Sequence, residues 1–83
     1  MPNINLQAYW GATSFNLECH ELKELRAYLA NRPSGMIVVG AWSFEWKSDV
    51  LYFSSGGIPG KYYIDMTLKD IIAVIDAAIA QFC

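Results

Sequence analysis

Apolar and polar residues alternate at the start of the chain, and this period of two predicts a half-buried strand over residues 4–10. Tyr9 belongs to the outward set of this strand. The inward set is Ile4, Leu6, Ala8 and Trp10. A sheet covered on one side by helices accounts for this pattern, because only one face of the strand is apolar.

The next segment changes to a helical period. Ser14 or Asn16 is a suitable N-cap, and the helix is expected to run to about Asn31, because Pro33 disfavours helical geometry at the residue before it. Its core stripe is Leu22, Leu25 and Leu29. This segment therefore predicts the first of two helices that cover the sheet.

Residues 36–47 form the longest strand candidate. On a single uninterrupted strand the even positions face the helices, and Ile37, Val39 and Ala41 face the other way. The even set is Met36, Val38, Trp42, Phe44 and Trp46. We therefore predict a central strand that is apolar on both faces at its start and reaches solvent at its far end.

A two-residue turn at Ser48-Asp49 sets the register of the following hairpin. With this turn Phe44 pairs with Phe53 on the core face, while Glu45 pairs with Tyr52 on the outer face. A glycine-rich turn over residues 54–60 then leads into a last strand over residues 61–66. Thr67 is the expected N-cap of a second helix with a continuous apolar stripe.

These elements predict a single α+β domain over residues 1–83, a two-layer sandwich in the order β-α-β-β-β-α. The sheet is expected to be four-stranded and mixed, with both helices on one face. A right-handed first crossover makes the helices parallel. Cys19 and Cys83 would then lie about 20 Å apart, the length of a four-turn helix, which excludes a disulfide between them.

Composition narrows the possible partners and compartment. Six Lys and Arg against eight Asp and Glu give a formal net charge of −2 with no basic run, which argues against nucleic-acid binding. The first residues lack the features of a signal peptide, and the apolar stretch over residues 71–80 is too short for a membrane span. We therefore expect a cytoplasmic protein with free cysteines and no membrane partner.

The residues offer little catalytic inventory. Cys19 and His20 diverge by about 100° on a helix, so they do not form a nucleophile and base pair. Glu18 and Glu21 share a face but have no further ligands to complete a metal site. The glycine-rich segment joins two strands, whereas phosphate-binding loops lead from a strand into a helix. No catalytic residue, metal or cofactor is predicted, and the chain is not expected to be an enzyme.

The uncovered face of the predicted sheet is the surface most suited to binding. Tyrosines beside aliphatic residues are typical of the centre of a protein interface. The predicted partner-binding residues are Tyr9, Ile37, Val39, Tyr52 and Tyr63. The partner is another protein or a second copy of the chain in a homodimer.

Three functions remain open. The first is a non-catalytic protein-binding module of the inhibitor, immunity or adaptor type, acting through the tyrosine-rich face or an edge strand. The second is a small-molecule-binding protein or minor enzyme with a pocket near Trp10, Glu18, Glu21 and Trp46. The third is a structural subunit of an oligomeric assembly.

Overall fold

A computed structural model describes residues 2–55 and 62–83 of the chain. The glycine-rich turn was predicted over residues 54–60, but Ser54 and Ser55 belong to a strand. The rest of that turn, residues 56–60, and Lys61 at the start of the predicted last strand lie outside the described ranges. The elements are β1 (Asn3–Ala8), β2 (Gly11–Asn16), α1 (Cys19–Asn31), β3 (Met36–Val39), β4 (Trp42–Lys47), β5 (Val50–Ser55), β6 (Tyr62–Ile64) and α2 (Leu68–Phe82).

The strands form one six-stranded sheet in the order β2-β1-β6-β5-β4-β3, and every neighbouring pair is antiparallel. The expected four-stranded mixed sheet is therefore wrong. Two hairpins were missed: one follows the first strand, and the other divides the long segment of residues 36–47. The first crossover expected between parallel strands does not exist.

The first missed hairpin turns at Tyr9-Trp10, which the Ala8–Gly11 pair encloses. β2 carries one large apolar side chain, Phe15, which pairs with Ile4 and is fully buried. Its small and polar residues resemble a loop leading into a helix cap, so the sequence pattern concealed it. As a result α1 begins at Cys19 after Glu18, and neither Ser14 nor Asn16 caps it.

The second missed hairpin turns at Gly40-Ala41, between the paired residues Val39 and Trp42. Gly40 has φ +60°, a left-handed conformation that glycine adopts without steric cost. Residues opposite each other in an antiparallel pair share a face, so Val39 lies on the core side with Trp42. The turn thus reverses the alternation expected for an unbroken strand, and Ile37 and Val39 face the helices.

The β4–β5 hairpin has the predicted register. Phe44 pairs with Phe53, Glu45 pairs with Tyr52, and the turn lies at Ser48-Asp49. Both turn residues have positive φ, +53° and +61°, as a type I′ turn requires. The register is confirmed even though neither residue is the glycine that such turns favour.

Both helices pack on the same face of the sheet, because all the buried strand residues belong to one side. α1 contributes Leu22, Leu25, Tyr28 and Leu29, and α2 contributes Ile71, Ile75 and Ala78. The strands contribute Ile4, Leu6, Ala8, Phe15, Val39, Phe44, Leu51, Phe53 and Ile64. The predicted stripe of α1 and the Thr67 cap of α2 are confirmed, with Thr67 Oγ1 accepting from the Asp70 amide at 3.2 Å.

The two helices are antiparallel and joined by a disulfide. Cys19 at the start of α1 is bonded to Cys83 after the end of α2, with a Cα separation of 5.8 Å. Arg26 and Asp76, midway along the same helices, form an ion pair at 2.8 Å. The exclusion of a disulfide was wrong, because it assumed parallel helices. Neither helix in the described part of the chain is long and apolar enough to cross a membrane.

Candidate functional site

The outer face of the sheet, opposite the helices, has a polar half on the β1–β2 hairpin. Here the side chains hydrogen-bond across the two strands. Asn3 Nδ2 donates to Asn16 Oδ1 at 2.7 Å, and Ser14 Oγ donates to Asn5 Oδ1 at 2.5 Å. These polar side chains satisfy one another at the surface, so this half is suited to contact with water.

The other half of the outer face, on β6, β5, β4 and β3, combines tyrosine and aliphatic side chains with the polar residues Ser43, Glu45 and Lys47 of β4. Strand pairing places Tyr63, Tyr52, Glu45 and Met36 in one row across these four strands. Three strand spacings make this row about 14 Å long. Met36 is 56% exposed, and Val38 on the same edge strand is 66% exposed. This concentration of exposed apolar groups makes the surface a candidate interaction site.

Tyr9 extends the apolar half toward the β1–β2 turn. Its ring stacks on Tyr63, with centroids 4.6 Å apart and planes inclined by 23°. Tyr9 also meets Trp10 edge-on, with ring centroids 4.7 Å apart. Tyr9 is 51% exposed and Tyr63 is 41% exposed, so this aromatic stack is accessible at the surface. We call Tyr9, Tyr52, Tyr63, Met36 and Val38 together the outer apolar face.

The predicted binding residues divide into two groups. Tyr9, Tyr52 and Tyr63 lie on the outer side of the sheet as expected, but Ile37 and Val39 do not. Val39 is only 1% exposed, and Ile37 packs against the core. Their expected positions are corrected because the Gly40 turn reverses the faces of β3.

The same turn brings Met36 and Val38 to the outer face, where the sequence analysis did not place them. The signal that identifies them is Gly40-Ala41 between two apolar runs. A glycine in a strand pattern can mark a turn, and reading it so changes the face of every residue before it.

Tyr28 anchors the edge that carries Met36 and Val38. Its hydroxyl donates to the Gly35 carbonyl oxygen at 2.6 Å, directly before β3, and accepts from the Trp46 amide at 2.8 Å. Trp46 lies one residue beyond the last β4 residue that pairs with β3. The phenol thus takes the place of a missing strand partner and fixes the end of β3 against α1.

The pocket considered near Trp10, Glu18, Glu21 and Trp46 does not form. Trp10 and Trp46 line separate pockets at different parts of the sheet. Glu21 Oε1 accepts from the Glu18 amide at 2.8 Å, so this pair serves the start of α1. The structure does not bring the four residues into one site.

The described residues contain no group of three or more His, Cys, Asp or Glu side chains arranged to hold a metal ion. The densest ligand cluster in the sequence, around Cys19, is instead the helix start that carries the disulfide. Its thiol is oxidised, and His20 beside it is exposed.

No known family model, curated protein or solved structure matches this chain. The chemistry of the surface is therefore the basis for a functional proposal.

Proposed function

We propose that this chain is a small non-catalytic protein-binding module whose contact surface is the outer apolar face. The observation that carries the proposal is the contrast within one side of one sheet. The β1–β2 half satisfies its polar groups internally, whereas the other half exposes Tyr9, Tyr63, Met36 and Val38. Helices that cover the opposite side leave this face open among the described residues.

The composition of the surface fits a protein partner. Tyrosine and methionine are enriched at the centres of protein interfaces, and aromatic anchors supply most of the binding energy there. The stack of Tyr9 on Tyr63 holds both rings in place before binding. Preorganised rings lose little side-chain entropy when a partner covers them.

The edge strand β3 offers a second element of the same surface. It is the last strand of the sheet, and its four residues, Met-Ile-Val-Val, contain neither proline nor charge. Such an edge accepts an added strand, because its outer backbone groups have no partner in the sheet order. Met36 and Val38 would then contact the partner beside the added strand.

A second copy of the chain is the first partner to test. Symmetric dimers are the commonest oligomers, and a sheet face or an edge strand can pair with itself about a twofold axis.

Solution mass measured by light scattering over a hundredfold range of protein concentration tests this proposal. Val38→Lys on edge strand β3 has a matched control in Ala12→Lys, because Ala12 is exposed on the same outer side of the other edge strand, β2. We expect the wild type and Ala12→Lys to associate. Val38→Lys should weaken association about tenfold or more, which corresponds to roughly 1.4 kcal/mol.

Two results would count against self-association through this face. One is a monomer at every concentration, which would leave only a different protein as the partner. The other is equal association of Val38→Lys and Ala12→Lys. Growth beyond a dimer that both variants retain would favour the structural-subunit function instead.

The cytoplasmic location stays a prediction and is part of this proposal. A reducing cytoplasm would keep Cys19 and Cys83 as thiols, whereas an oxidising compartment preserves their disulfide. Thiol labelling in intact cells reads the difference. Labelled cysteines support the cytoplasm, and cysteines that label only after reduction contradict it.

A further inference from the structure

The backbone groups on the outer edge of β3 alternate in direction. The turn between β3 and β4 has two residues, so the pair that encloses it is hydrogen-bonded, and bonded and non-bonded pairs alternate from there. Val39 and Ile37 therefore direct their backbone groups to β4. Met36 and Val38 direct their N–H and C=O groups outward, where the described sheet contains no further strand.

These outward groups are complementary to those of a second copy. A twofold axis at Ile37 places Met36 of each copy opposite Val38 of the other. Both pairs exchange two N–H···O bonds, which makes four bonds in all. An axis at Met36 or at Val38 would instead require backbone groups of Ser34 or Gly40, which lie outside β3. The axis at Ile37 uses β3 residues alone.

The side chains match in the same register. On the outer side Met36 lies beside Val38 of the second copy, and in the single chain these side chains are 56% and 66% exposed. On the helix side Ile37 meets Ile37 of the second copy, because residues opposite each other in an antiparallel pair share a face. All these contacts join apolar side chains, so pairing removes apolar surface from water without burying a charge of β3.

A groove between α1 and β3 leaves room for the added strand. Its volume is about 500 Å³, and Ala27 and Tyr28 of α1 line it together with Ile37 and Val38 of β3. The one charged residue in its described lining, Glu24, is exposed to solvent. The helix therefore does not close this edge, and the groove has space for Ile37 of a second copy.

The other edge strand, β2, is less suited to such pairing. By the same alternation Ala12, Ser14 and Asn16 direct their backbone groups outward. The side chains of Ser14 and Asn16 are polar and bond to Asn5 and Asn3 on β1. Pairing along β2 would therefore bury little apolar surface. This makes β2 the matched control edge.

We propose that two copies of the chain join through β3, antiparallel about a twofold axis at Ile37, and form one continuous sheet of twelve strands. This inference rests on the proposed protein-binding function and names its partner and register. The stack of Tyr9 on Tyr63 stays uncovered in this dimer, because β6 lies three strands away from β3.

Hydrogen exchange of the wild-type protein reads the register directly. NMR measures the exchange of each amide at the two ends of a hundredfold range of protein concentration. We expect the amides of Met36 and Val38 to exchange about tenfold or more slowly at the high concentration. The amides of Ala12 and Ser14 should exchange equally at both concentrations, since they lie on the control edge.

A matched pair of proline variants tests the same bonds. Val38→Pro removes an outward N–H from each copy without adding charge, and an edge strand tolerates proline where its N–H faces solvent. Ala12→Pro makes the same change on β2, and circular dichroism verifies both folds. By light scattering, Val38→Pro should weaken association about tenfold or more, and Ala12→Pro should leave it unchanged. If Val38→Pro does not fold, the exchange pattern of the wild type decides.

Three results would overturn this inference. They are a monomer at every concentration, association without added protection of Met36 and Val38, and equal association of the two proline variants. In the second case, resonance shifts at Tyr9 and Tyr63 on association would reveal a dimer formed by the outer apolar faces. The proposed function would then stand although the register through β3 fails.

Discussion

The two halves of the outer face belong to one sheet, yet they expose different side chains to solvent. One half exposes polar side chains that bond to one another, and the other exposes large apolar ones. On the β1–β2 hairpin, cross-strand bonds such as Asn3–Asn16 satisfy the polar side chains. On β3 and β6, Met36, Val38 and Tyr63 are exposed, because the helices cover only the other side of the sheet. The polar half shows that this fold can present a water-compatible outer face, so the apolar half calls for a separate explanation. Binding a protein is the explanation that we propose.

The largest expected effect tests the boundary between the core and the outer face. Phe53 is buried and Tyr52 is its neighbour on the opposite side of β5. Phe53→Lys should cost more than about 4 kcal/mol and unfold the domain, because it removes a core ring and buries a charge. Tyr52→Lys should remain folded. Urea denaturation followed by circular dichroism measures both, and a similar loss in the two variants would refute the assigned faces.

The next effect concerns how the two halves are held together. The Cys19–Cys83 disulfide joins the helix after β2 to the helix after β6 and links two cysteines that are 64 positions apart in the sequence. Opening it frees the unfolded chain, so Cys83→Ser should lower the free energy of unfolding by about 2–4 kcal/mol. Denaturation of the wild type with and without reductant is the matched measurement. A reductant effect that persists in Cys83→Ser would contradict this assignment.

A smaller loss should follow from releasing the apolar edge. Tyr28→Phe keeps the ring but removes the hydroxyl that bonds to the Gly35 carbonyl and the Trp46 amide. We expect a loss of about 1–3 kcal/mol and faster amide exchange at β3 than at β2. Hydrogen exchange read by NMR checks this. Equal acceleration in both edge strands would show that Tyr28 does not act on the apolar half specifically.

The smallest effect concerns a turn within the apolar half. Asp49 has φ +61°, which costs a residue with a side chain about 1 kcal/mol relative to glycine. Asp49→Gly should therefore raise the free energy of unfolding by about 0.5–1 kcal/mol without changing the outer face. Asp49→Ala removes the same charge and keeps the backbone cost, so it serves as the control. An equal gain in both variants would point to charge instead of turn geometry.

The sequence was most informative where alternation and turn spacing agreed. Phe44, Phe53, Glu45 and Tyr52 have the predicted register because any slip of one residue would expose the two phenylalanines. The amphipathic helices were equally clear, and the Thr67 cap was found. These features depend on local periodicity, which can be recognised in a single sequence.

The errors arose where a turn left the apolar pattern unbroken. Gly40-Ala41 lies between two apolar runs and contains no strong turn pair, so the segment resembled one strand. Tyr9-Trp10 is an aromatic turn, which no common turn signature predicts. Each missed turn left the predicted sheet one strand short. The missed β1–β2 hairpin also led to the wrong relative direction of the two helices. The disulfide was excluded for this reason, although both cysteines were visible.

The candidate site was predictable only where it depended on local alternation. Three tyrosines could be placed on the outer side because their alternation is local, but Ile37 and Val39 required the Gly40 turn. The groove beside β3 depends on residues from α1 and β3 meeting in space. Sequence spacing alone does not report such a meeting.

Site-specific photo-crosslinking tests the central contrast most directly. A photoreactive amino acid replaces Val38 on one edge strand or Ala12 on the other, both on the outer side of the sheet. We predict that position 38 gives one discrete product, either twice the mass of the chain or a single heterologous complex, and that position 12 gives none. Equal products from both positions, or none from either, would contradict a binding function for the outer apolar face.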